Sequence, residues 1–302
     1  MASVNDFDLR LLKVFDTVVQ CHGYAGAQAR LNVSQSTLSS QMTALEQRLG
    51  LRLCQRGRVG FRLTEKGAAV HDAAEQLFAA VQRFQAEVAA QRGRLAGTLR
   101  VGLVDHTVTN PTAPLHRVIE RFDRRDHQVR FDLTVAEPQQ LEQAVLDGKL
   151  HLAIGPFARK REALTYQPLF AERHLLYCAR GHRLFPKADQ AITKAELGRA
   201  QFVARSYMHG ADLRKAGLAE AAAQASNMEA QAILILSGDY IGFLPDHYAR
   251  PWQDSGELRP LKSKRLAYSS RFSLIARRGL PRTEVMEAFV EDLMALLKEA
   301  RS

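Results

Sequence analysis

Between Ser34 and Ser40 the chain reads SQSTLSS, so that Ser34, Gln35, Ser36, Thr37, Ser39 and Ser40 set hydroxyl and amide groups around one apolar residue, Leu38. Such side chains compete for backbone hydrogen bonds and lower helix propensity, which makes them poor choices on a helix that only packs. In the major groove of DNA they become useful. Glutamine pairs with adenine there, serine and threonine meet base edges or phosphates, and free N–H groups at a helix start suit a phosphate. Just downstream, six basic residues between Arg48 and Lys66 stand against a single acid, Glu65, a local excess of five positive charges within a chain of net charge +10. That balance favours a polyanionic partner.

A second group has the chemistry of ligand binding. Asp105, His106, Thr107 and Val108 follow the strand-like TLRVGLV, and Arg205, Ser206 and Tyr207 follow AQFVAR. In α/β folds, ligands bind beyond the C-terminal ends of strands, beside helix N-termini. Pro156 and Phe157, after LHLAIG, would form a third side. An arginine facing a helix N-terminus suits a carboxylate through bidentate pairing, so a small organic anion is the expected effector.

Enzyme chemistry has no comparable support. No GxGxxG, GxSxG, GxxxxGK[ST] or HExxH pattern occurs, and the three cysteines, Cys21, Cys54 and Cys178, are scattered without histidine partners at ligand spacing. Neither a cofactor nor a metal is expected. No run of about 18 apolar residues suggests a membrane span, and the start lacks the pattern of a secretory signal, so the expected location is the cytoplasm.

The elements that must position these residues can be read from the spacing of apolar groups. Leu9, Leu12, Val14, Phe15, Val18 and Val19 form one face of a first helix ending near Gly23; a short, alanine-rich helix fits Tyr24–Leu31; and Ser34 caps a third that Gly50 closes. LRLCQRGRVGFRLT reads as two short strands around a basic loop, which completes a winged helix-turn-helix over residues 1–65. From 66 to 92 a single helix is expected. Its Val70, Ala74, Leu77, Val81, Phe84 and Val88 alternate in steps of four and three, the seam of a dimeric coiled coil. A hinge follows at 93–97.

Residues 98–302 then alternate strand and helix, including a helix from Pro111 to Arg125, as two α/β lobes: lobe I at about 98–170 and 271–302, lobe II at about 171–270. The fold class is therefore α/β, with an N-terminal all-α winged helix-turn-helix, a long linker helix and a two-lobed, periplasmic-binding-protein-like effector domain.

Ser34-Gln35, Leu38-Ser39, Gln41, Leu45-Glu46, Leu49-Gly50, Leu63-Thr64 and Gly67 follow one another in an order that resembles the DNA-binding domain of the LysR-type transcriptional regulators. The resemblance extends to the linker helix and to the SGDYIGFLP segment of the effector domain. Cys54 departs from it, standing where the family usually carries phenylalanine, and a smaller side chain there would loosen packing beneath the wing. By position, the resemblance makes Gln35, Ser36, Thr37, Ser39 and Ser40 base-facing or phosphate-contacting, with Arg30, Arg56 and Arg58 on the DNA backbone. It implies double-stranded promoter DNA and a small-molecule effector as partners, dimers through the linker helix, and a homotetramer.

Overall fold

The computed structural model describes residues 6–57, 60–90, 95–208, 210–262 and 264–300. The chain divides into two compact units, Met1–Phe84 and Gln85–Ser302.

In the first unit, α1 (Asp6–Gln20), α2 (Tyr24–Leu31) and α3 (Gln35–Leu49) precede a hairpin of β1 (Cys54–Gly57) and β2 (Gly60–Leu63), and then α4 (Glu65–Ala90). Leu11, Phe15 and Val18 of α1 share a core with Ala27, Leu38, Met42, Leu45 and Leu53. Asn32, in the left-handed region at φ 52°, ends α2, and Ser34 starts α3 by accepting a hydrogen bond from the Thr37 N–H at 3.2 Å. Gly50 closes α3 at φ 64°, as a C-terminal glycine should. Cys54, expected to loosen the packing, is buried in this core and lies opposite Leu63 in the hairpin.

The coiled-coil seam expected on α4 divides in two. Ala74 is buried and Val70 and Leu77 pack on the core of their own unit, while Val81, Phe84 and Val88 are 38, 65 and 41 % exposed. Only this second half presents an apolar stripe to solvent.

The second unit begins with β3 (Leu95–Leu103), α5 (Leu115–Phe122), β4 (His127–Val135), α6 (Pro138–Leu146), β5 (Leu152–Gly155) and the long β6 (Leu164–Ala179). It continues with α7 (Lys194–Gly198), β7 (Gln201–Arg205), α8 (Ala211–Ala216), β8 (Ala223–Ala225), α9 (Met228–Leu236) and β9 (Tyr240–Pro245). It ends with α10 (Asp246–Asp254), β10 (Leu258–Pro260), β11 (Tyr268–Arg277) and α11 (Glu284–Glu299). The strands run in the order β4-β3-β5-β11-β6-β9-β7-β8, with β10 paired to β6. The β3–β4, β3–β5, β7–β8 and β7–β9 pairs are parallel, whereas β6 and β11 run antiparallel to each other and carry the chain between the lobes.

Apolar side chains mark the two lobes. Leu164, Leu169 and Phe170 at the start of β6 and Phe272, Leu274, Ile275 and Ala276 at the end of β11 join the core of the first lobe, with β3, β5 and α11. Leu175–Ala179 of β6 enter the two cores on either side of the second.

Two boundaries differ from the sequence reading. The helix expected from Pro111 to Arg125 is only Leu115–Phe122, preceded by a 3-10 turn at Thr107–Thr109. Proline disfavours helical backbone in the residue before it, and Asn110 Oδ1 holds the intervening loop by accepting from the Thr112 N–H and hydroxyl at 3.0 and 2.7 Å. The expected hinge at 93–97 runs into β3, because Leu95 already pairs with His127; residues 93 and 94 lie outside the described residues.

Candidate nucleic-acid interface and effector cleft

Helix α3 buries Leu38, Met42 and Leu45 and leaves Ser34, Gln35, Ser36, Thr37 and Ser40 exposed at its start, with Ser39 half-buried. The Ser34 hydroxyl lies 2.8 Å from those of Ser36 and Thr37, so three of these groups form a small network at the cap and Gln35 and Ser40 extend beyond it. Arg30 is exposed in the last turn of α2. Arg56 sits on β1; Arg58 lies outside the described residues.

Two contacts fix the recognition helix against its neighbours. Arg48 donates to Asp8 of α1, with Nη2 2.8 Å from Oδ2. Glu46 Oε1 accepts from the N–H groups of Leu53 and Cys54 at 2.7 and 3.2 Å, tying α3 to the start of the wing. Among the described residues, Asp16, His71 and Glu75 also cluster. His71 meets Asp16 through Nε2 at 2.9 Å and Glu75 through Nδ1 at 3.9 Å, and opposite ring nitrogens cannot share one ion, so the contacts read as a pin between α1 and α4.

Between the lobes of the second unit is a cleft of about 440 Å³. Val104, Asp105, Val135, Ala136, Glu137, Pro138 and Gln140 line it from the first lobe, and Tyr207, Ser226, Asn227 and Glu229 from the second. Of the residues expected to bind effector, Asp105 and Tyr207 are there, and Ser206 stands beside them with its hydroxyl 3.4 Å from Glu137 Oε1. His106, Thr107 and Val108 instead line an adjoining, mostly apolar cavity of about 310 Å³ together with Leu133 and Phe289; Val104, Asp105 and Val135 line both spaces. Pro156 and Phe157 line neither; Phe157 packs edge-on against Tyr166, with ring centroids 6.1 Å apart.

Arg205 also departs from expectation. Its guanidinium is buried and donates to Asp212 in bidentate fashion, at 2.8 and 2.5 Å, and to the Tyr268 hydroxyl. The carboxylate it was expected to hold is the chain's own. Burial would lower the Arg205 pKa, but Asp212 more than reverses this and holds it well above the ordinary value.

Sequence reasoning missed the buried cluster behind the cleft. Glu172 Oε1 lies 3.2 Å from His106 Nε2 and 2.9 Å from His174 Nε2, and its Oε2 lies 2.9 Å from His247 Nε2. His106 Nδ1 is 3.2 Å from Asp105 Oδ1, and Asp105 Oδ2 accepts from the Met228 N–H at the start of α9. One chain of contacts thus runs from the cleft to the strand that joins the lobes. Its signal was present in the alternation Glu172-x-His174, two ionisable groups on one face of a buried strand.

Burial pushes the Glu172 carboxyl up, but its three histidine partners outweigh that and hold it far below the usual range. Burial likewise dominates at His174, lowering it to about 4 against the pull of Glu172. At His106 burial is overcome by Asp105 and Glu172, and the net shift is upward.

These shifts set a pH dependence. A histidine whose folded pKa is depressed stabilises the fold above its unfolded value near 6.5, and that stability is lost as pH falls through the folded value. His106, shifted upward, loses its contribution only as pH rises, and Glu172 loses its own below about 4.5. The second unit should therefore lose stability between pH 6.5 and about 4, with His174 responsible first. Trp252 is the only tryptophan and belongs to this unit, so melting followed by its fluorescence across that range checks this. His174→Gln should flatten the decline; an unchanged slope would assign it elsewhere.

A helix-turn-helix with an exposed polar recognition face, joined in one chain to a two-lobed unit with a cleft, defines a ligand-responsive DNA-binding protein. Residues 9–68 match the family model described as "Bacterial regulatory helix-turn-helix protein, lysR family", and residues 92–298 match "LysR substrate binding domain". The chain belongs to the LysR family of transcriptional regulators. It is 39 % identical over 292 residues to the HTH-type transcriptional activator BauR of Pseudomonas aeruginosa, covering 96 % of each chain. CbnR, solved with its target DNA, superposes with a TM-score of 0.65 at 21 % identity, over 95 % of this chain and 99 % of that one. A full-length OxyR variant from Pseudomonas aeruginosa gives 0.64 at 21 %, over 97 and 95 %. BauR is a transcriptional activator, and the family models that match this chain describe regulators rather than enzymes. Among the described residues no helix is long and apolar enough to cross a membrane.

Proposed function

We propose that this regulator reads its promoter through Gln35, Ser36, Thr37, Ser39 and Ser40, with Ser34 at the helix start and Arg30, Arg56 and Arg58 holding the DNA backbone. The carrying observation is the start of α3, where Leu38 is buried while Gln35, Ser36, Thr37 and Ser40 around it are exposed on the outer face. A recognition helix contacts bases through its N-terminal residues. In this reading the units are residues 1–65 for DNA, 66–92 for the linker, 93–97 for the hinge and 98–302 for the effector.

The exposed stripe of Val81, Phe84 and Val88 supports dimerisation through the linker helix, and effector domains then pair dimers into a tetramer acting in the cytoplasm. The effector occupies the inter-lobe cleft, beside Asp105, Ser206 and Tyr207, and shifts the assembly by its differential affinity for two lobe arrangements. BauR is named an activator, and activation is the mode we infer here.

Gel retardation on the DNA upstream of its own gene tests the reading. Gln35→Ala should cost about 1–3 kcal/mol on the preferred site and little on random duplex. Arg30→Ala should weaken both alike and reduce the salt dependence. Equal losses by Gln35→Ala on both duplexes would remove the base-reading role.

A further inference from the structure

The charge of the effector cleft identifies the class of its ligand, an inference that rests on the cleft being the effector site. Asp105 and Glu137 enter from the first lobe and Glu229 from the second, and among the described residues no lysine, arginine or histidine lines the cleft. Two helix N-termini also face this space, those of α6 and α9, each worth roughly half a positive charge. Asp105 already has His106 as a partner, shifted toward its charged form; three carboxylates against that imidazolium and two half-charges leave about one negative charge uncompensated, carried by Glu137 and Glu229. The start of α9 is moreover already occupied, since Asp105 accepts from the Met228 N–H and Asn227 Oδ1 from the Ala230 N–H at 2.8 Å. The arginine nearest in sequence to the cleft residues, Arg205, is spent on Asp212. An anion entering here would meet repulsion from both lobes and find its natural N–H partners taken.

We propose that the effector is a small alkyl amine carrying net positive charge, ideally a diamine. Its ammonium groups lie between Glu137 and Asp105 on one side and Glu229 on the other, while Val104, Val135 and Pro138 offer an apolar floor to the methylene chain. Such a ligand also has a reason to move the lobes. With the cleft empty, carboxylates on facing walls oppose closure; a cation between them removes that opposition and so binds the closed arrangement more tightly than the open one.

Four probes of similar length and different charge separate the possibilities: diaminobutane, aminobutanoate, succinate and butanediol. Calorimetric titration of the full chain at low ionic strength should rank diaminobutane first, aminobutanoate second, and the diol and succinate last. Glu137→Gln with Glu229→Gln should weaken the diamine at least about tenfold and leave the diol unchanged. The fold is monitored by far-UV circular dichroism, and Ser226→Trp, which fills the cleft from an exposed position, should abolish binding. Tightest binding by succinate, equal binding of diamine and diol, or no binding of the diamine overturns the charge assignment. Diamine binding that survives Ser226→Trp places the ligand elsewhere and overturns the cleft reading itself.

Discussion

Asp212→Ala should destabilise the effector unit by about 3–5 kcal/mol, because it strands the Arg205 guanidinium in a site that excludes water. Arg205 is 3 % exposed and Asp212 not at all, and Asp212 supplies both of the carboxylate contacts the guanidinium makes, at 2.8 and 2.5 Å. Tyr268, held in the same cluster, cannot replace a negative charge: burial pushes its hydroxyl far above the usual range and keeps it neutral. For a unit of this size the loss corresponds to a melting point lower by about 10 °C, read from Trp252 fluorescence. Replacing both partners with apolar residues of similar volume, Arg205→Met with Asp212→Leu, should recover much of the loss, since the desolvation cost of both charges goes with them. A single Asp212→Ala variant as stable as the parent would show that water reaches Arg205 in solution.

That pair also shows where sequence reading reaches its limit. Arg205 was legible as a cation beyond a strand end, but its partner lies in a six-residue helix with no apolar periodicity to announce it. Nothing in the residue types distinguishes an arginine that waits for a ligand from one already paired. Glu137 and Glu229 were hidden for a different reason. Each stands at a helix start, where acidic residues are common because they suit the dipole, and only the meeting of two such starts across one cleft gives them a joint meaning. The first unit was far more legible. Its helix limits follow from local signals that act within a few residues: the Ser34 cap, the left-handed Gly50 and the apolar face of α3. The apolar spacing of α4 is legible in the sequence, yet spacing alone cannot say that Ala74 and Leu77 face their own core while Phe84 faces solvent.

The chain of contacts from the cleft to β6 gives ligand charge a route to the lobe junction. Asp105 divides its two oxygens between the α9 N-terminus and His106, and His106 in turn shares Glu172 with His174 and His247. An ammonium approaching Asp105 competes with His106 for the same carboxylate. The buried histidine then depends more on Glu172, which lies on the strand carrying the chain from one lobe to the other. In the reading proposed above, a charge placed in the cleft would reach the lobe junction through these contacts.

Gly67→Ala should destabilise the DNA-binding unit, against the usual gain of up to about 1 kcal/mol for that exchange inside a helix. The residue lies in the first turns of α4, so propensity favours alanine. Space does not. A Cβ built at Gly67 would stand 2.0 Å from the Leu53 carbonyl oxygen and 2.8 Å from its carbon. That carbonyl cannot easily give way, because it accepts from the Thr64 N–H at 2.9 Å while the Leu53 N–H donates to Glu46 Oε1 at 2.7 Å. Moving it would loosen the wing from α3 and α4 together. Overpacking of this kind costs about 1–3 kcal/mol, and more where the obstacle is backbone. The variant should lose helical signal at a lower temperature and bind promoter DNA more weakly, while the Trp252 transition of the other unit stays where it was. An unshifted or raised helical transition would mean that the wing yields freely, and the glycine of the LT-x-x-G motif would then need another explanation.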